Sequence, residues 1–86
     1  MKNKTNLPKW FNGTIYDKGD TVKNPFSGDE YKLTNLELSM YDFIMGCNMV
    51  FATGSNRVND EMIKDFEKGL DWFRKTNAKA YMVLLD

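Results

Sequence analysis

The sequence predicts a single α+β domain: a short antiparallel hairpin sheet, followed by two main helices and a short C-terminal helix or strand. Three observations predict it. Turn dipeptides separate short β-prone pieces over residues 10–33. A capping box after Leu33 opens a long apolar run. A second stretch from about residue 59 repeats apolar residues at helical spacing and leads into an apolar terminus. At 86 residues there is material for one core only, because a domain of this size buries just roughly 60–65% of its unfolded surface. We assign residues 1–9 to a flexible basic N-terminal arm and residues 10–86 to the single domain.

Asn12-Gly13, Lys18-Gly19-Asp20, Asn24-Pro25 and Ser27-Gly28-Asp29 are turn signals. Between them lie Thr14-Ile15-Tyr16, Thr21-Val22-Lys23 and Tyr31-Lys32-Leu33, which read as the strands of two successive hairpins. Pro25 has its φ already fixed for the first central position of a turn, and Gly28 tolerates a positive φ. Strands this short need a helix to cover them.

Thr34-Asn-Leu-Glu37 is a capping box, so a helix starts there and its apolar body spans 35–51. Leu36, Leu38, Met40, Tyr41, Phe43, Ile44, Met45, Cys47, Met49, Val50 and Phe51 spread around nearly its whole circumference. A helix apolar on all sides is expected to be buried on all sides, and a chain this small has difficulty surrounding it. Gly46 and Cys47 make a shallow spot where another backbone can approach.

Gly54 is a natural left-handed helix stop. The second helix begins near Asn59, with Asp60 and Glu61 in its first turn and Arg74 and Lys75 in its last, as the helix dipole favours. Met62, Ile63, Phe66, Leu70 and Phe73 share one face. Trp72 falls off that stripe, so it either covers the C-terminal tail or faces a partner. Asn77 can cap a short final helix, although Tyr81-Met-Val-Leu-Leu85 reads equally as a strand.

Composition removes many functions. Without His there is no histidine base, triad or histidine metal site, and the single Cys builds neither a disulfide within the chain nor a Cys-rich zinc site. We therefore expect a non-enzyme with no cofactor and no metal. The start of the chain is polar and Pro-broken, and the longest apolar run falls short of the ~20 residues a spanning helix needs. That composition suits a cytoplasmic protein with no membrane contact. Two acidic turns, Asp17/Asp20 and Asp29-Glu30, are ordinary turn chemistry before they are a cation site. Gly54-Ser-Asn-Arg57 lacks the second glycine and the Lys-Ser/Thr of a phosphate loop. Cys47 has no cationic neighbour in sequence and reads as structural.

Zero net charge conceals an asymmetry: residues 1–28 carry +3, residues 29–65 carry −4 and residues 66–86 carry +1. The basic arm with its aromatics, Lys2, Lys4, Lys9, Trp10 and Phe11, suggests an alternative role as a single-stranded nucleic-acid accessory protein. A dedicated nucleic-acid domain shows a clear basic excess, however, so the sequence disfavours it. The stronger expectation is a small interaction protein that forms a homo-oligomer through the apolar helix 35–51. Its candidate surface is Met40, Ile44, Met45, Gly46, Cys47, Met49, Trp72, Tyr81 and Leu84. Met adapts its shape to a partner, and apolar groups beyond what one small core needs mark interaction sites.

Asn24-Pro25-Phe26-Ser27-Gly28, Tyr41-Asp42-Phe43-Ile44-Met45-Gly46, Gly69-Leu70-Asp71-Trp72-Phe73-Arg74-Lys75 and Ala80-Tyr81-Met82-Val83-Leu84-Leu85-Asp86 resemble stretches of small uncharacterised proteins encoded by marine bacteriophages. The resemblance spans residues 21–86 and leaves the N-terminal arm outside it. That family has no assigned activity and no catalytic residues to carry over. What it implies is context: expression in the cytoplasm of an infected bacterium and a host or phage protein as partner.

Overall fold

A computed structural model describes residues 7–11, 13–54 and 58–85. Strands β1 (Asp20–Lys23) and β2 (Glu30–Leu33) precede helices α1 (Asn35–Ala52), α2 (Asp60–Thr76) and α3 (Ala78–Leu84). This is the α+β order that the sequence predicts, with the C-terminal alternative resolved as a helix.

The strands pair antiparallel, with Val22 opposite Tyr31 and Asp20 opposite Leu33. Period-two alternation puts Tyr31 and Leu33 on one face, and Leu33 is buried among residues of α1, α2 and α3. Exposed Lys23 lies across from Glu30, an opposite-charge pair that supports this register. The hairpin turn is built on Asn24. Its backbone N–H donates to Asp29 O (2.8 Å), its carbonyl accepts from Gly28 N (2.9 Å), and Gly28 takes the positive φ of 82° that the turn requires.

The expected first hairpin does not form. Thr14–Tyr16 runs alongside α1 instead: Tyr16 N–H donates to Ser39 Oγ (2.9 Å) and Tyr16 O accepts from Asn35 Nδ2 (3.3 Å). Helix side chains thus satisfy backbone groups that a strand partner would otherwise take. Ser39 is fully buried but satisfied, since its hydroxyl also donates to Asn35 O (2.7 Å). Beyond this segment Gly19 passes so close to the backbone of Leu33 and Thr34 that a Cβ would collide with the Leu33 carbonyl oxygen.

At the start of α1, Thr34 Oγ1 accepts from Glu37 N (3.2 Å) and Glu37 Oε1 accepts from Thr34 N (3.0 Å). Gly54, at φ 66°, closes the other end with its N–H on Phe51 O (3.2 Å). Asn59 caps α2 by accepting from Met62 N (2.8 Å). Asn77 caps α3 by accepting from Ala80 N (3.1 Å), and its Nδ2 donates to Glu37 Oε2 (3.1 Å). That last bond ties the first turn of α1 to the joint between α2 and α3.

The close helix approach within the domain is made by Gly69 on α2, where a Cβ would stand 3.1 Å from Met40 Sδ and 3.5 Å from Ile44 Cγ1. Leu33, Met40, Tyr41, Ile44, Phe73, Ala80 and Leu84 form the core. Leu7, Trp10 and Phe11 dock on it, so the packed chain reaches back to Leu7, while residues 1–6 of the expected arm lie outside the described residues. The expectation that α1 is buried on every side is corrected. Asp42, Gly46, Asn48 and Met49 are exposed, because α2, α3 and the N-terminal segment cover only part of the helix circumference.

Candidate interaction surface

The residues singled out in the sequence divide sharply. Met40 and Ile44 are 0% exposed, Cys47 3% and Leu84 5%. These four are interior groups and offer nothing to a partner. Met40, Ile44 and Cys47, spaced four and then three residues apart, make the inward stripe of α1, and Leu84 closes the core from α3. Met45 is half-buried, Gly46 is exposed with no atom within 4 Å of a would-be Cβ, and Met49 is 70% exposed. Gly46 and Met49 lie on the outward side of α1, and Met45 beside them still packs against the core. Trp72 and Tyr81 are half-buried and pack against the core from α2 and α3, and the Trp72 ring meets Phe73 edge-on at 6.4 Å. The structure therefore does not bring the nine residues into one surface.

The aromatic arm is likewise redirected. Trp10 and Phe11 pack on Phe43 of α1, with ring centroids 5.8 and 5.6 Å from it. Rings engaged in this way are not free platforms for stacked bases. Lys9 is exposed, and Lys2 and Lys4 lie outside the described residues. The Asp17/Asp20 and Asp29-Glu30 turns do not converge: the described residues hold no group of three or more side chains suited to a metal. Residues 55–57 of the Gly54–Arg57 segment are outside the described part of the chain. Burial, with a smaller contribution from Asp65, pushes the Cys47 thiol pKa up, opposite to what a nucleophile needs. The nearby carboxylate of Asp42 pushes the Tyr16 phenol pKa up, chiefly by its charge. Among the described residues no helix is long and apolar enough to cross a membrane.

Two features that sequence reasoning missed dominate what remains. The first is Phe26, 98% exposed at the tip of the β1–β2 hairpin. Its position is fixed from below by Asn24, which is 9% exposed. Asn24 Oδ1 accepts from Phe26 N (2.8 Å) and Ser27 N (3.2 Å), while Nδ2 donates to Val83 O of α3 (3.0 Å). The signal was present in Asn24-Pro25-Phe26-Ser27-Gly28, where a large aromatic occupies the middle of a run of turn formers. The second feature is an apolar groove where the end of α1 meets α2. It has a volume of about 630 Å³ and is lined by Phe51, Gly54, Val58, Ile63, Phe66, Glu67 and Leu70. Phe51 and Phe66 meet edge to face there, with ring centroids 5.1 Å apart. A second, polar hollow lies beside Trp10, with Asp60, Glu61, Lys64, Asp65 and Lys68 around it. Its mixture of both charges selects no ligand class.

Comparison with protein-family models, with curated proteins and with solved structures found no match to this chain.

Proposed function

We infer that the protein is a small non-enzymatic interaction protein that self-associates and works by presenting apolar side chains to a protein surface. The observation that carries this reading is Phe26, a whole aromatic side chain left in water on a turn that five side-chain and backbone hydrogen bonds of Asn24 hold in place. A ring with no contact in its own fold adds no burial to the isolated domain and gains it only against a partner. Met49 and Met82, 70% and 65% exposed, add adaptable apolar surface elsewhere. Sedimentation velocity over a micromolar concentration series tests the reading. A weight-average mass that rises with concentration supports self-association, and a strict monomer throughout overturns it.

A further inference from the structure

We draw no further inference here: the strongest candidate, the apolar groove between the end of α1 and α2, carries nothing, because nothing in the structure shows what covers it, since it borders residues 55–57 outside the described chain and the hairpin tip, with Lys23 against Asp29 and Glu30, does not complement Glu67 in its wall.

Discussion

Asn77 is where one side chain should cost the fold most. Its Oδ1 caps α3 through Ala80 N, and its Nδ2 reaches Glu37 Oε2, an oxygen on a residue that is 8% exposed. Asn77→Ala removes both bonds. Loss of an N-cap costs about 1 kcal/mol. Leaving a buried carboxylate oxygen without its donor costs about 1–3 kcal/mol more. The sum, about 2–4 kcal/mol, is a large part of the stability available to a domain of this size. It corresponds to a fall in Tm of roughly 10–30 °C, taking 4–8 °C per kcal/mol. Urea and thermal unfolding followed by far-ultraviolet circular dichroism measure it. Asn77→Asp separates the two contributions, because it keeps the capping acceptor but points a carboxylate at Glu37. At neutral pH the two charges repel and the variant should be at least as unstable as Asn77→Ala. An Asn77→Ala protein within about 0.5 kcal/mol of the parent, the scatter of an ordinary surface substitution, would refute the joint between α1, α2 and α3 drawn from these distances.

Gly19→Ala should destabilise by about 1–3 kcal/mol in urea titrations, because its Cβ meets the Leu33 backbone oxygen and backbone cannot rotate away as a flexible side chain can; parental stability would mean that residue 19 does not cross the end of β2. Gly46→Ala should stabilise by about 0.5–1 kcal/mol, since the position is an exposed helix interior with open space around it, and it should leave assembly unchanged if Phe26 rather than the outward side of α1 makes the contact. Cys47 should react with a thiol reagent only as fast as the domain opens, and a rate equal to that of the unfolded chain would contradict its burial. Because burial raises the Cys47 pKa in the folded state, its contribution is fully present below about pH 8.5 and lost as pH rises beyond it. Cys47→Ala should therefore flatten the decline in unfolding free energy above about pH 8.5, whatever its absolute cost.

What the sequence disclosed follows the range of the forces involved. The capping box at Thr34 and Glu37, the caps at Asn59 and Asn77, and the stop at Gly54 all concern hydrogen bonds or backbone angles spanning a few residues, and all five residues do what their local pattern implies. Where the wheel had an empty side, as on α2, the inward face was legible too, and Phe73 is fully buried. On α1 the wheel has no empty side. Its inward face is chosen by Gly69 on α2, a small residue some twenty-five positions away that lets Met40 and Ile44 in. Hydrophobicity alone could not rank Met40 above Met49, and the candidate surface accordingly mixed core with exterior. The same limit applies to Thr14–Tyr16, whose β-prone residues imply a strand partner while Ser39 and Asn35 of α1 take the backbone groups of Tyr16.

At Phe26 the local pattern implies the turn but is silent on the ring that the turn carries. Asn24, Pro25, Ser27 and Gly28 are turn formers, and they make a turn. A turn needs no aromatic ring at its centre, and a Ser or Asp there would complete the same backbone bonds at less cost in water. The ring is nevertheless held by one of the few buried polar side chains of the domain, which spends its amide anchoring the turn to α3. Ordering a tip in advance lowers the entropy lost when it docks. Asn24 therefore matters to binding in a way that Phe26 area alone does not capture. Asn24→Ala frees the tip and should weaken assembly even with the ring still present, whereas a ring that merely happened to be exposed would bind nothing in either protein.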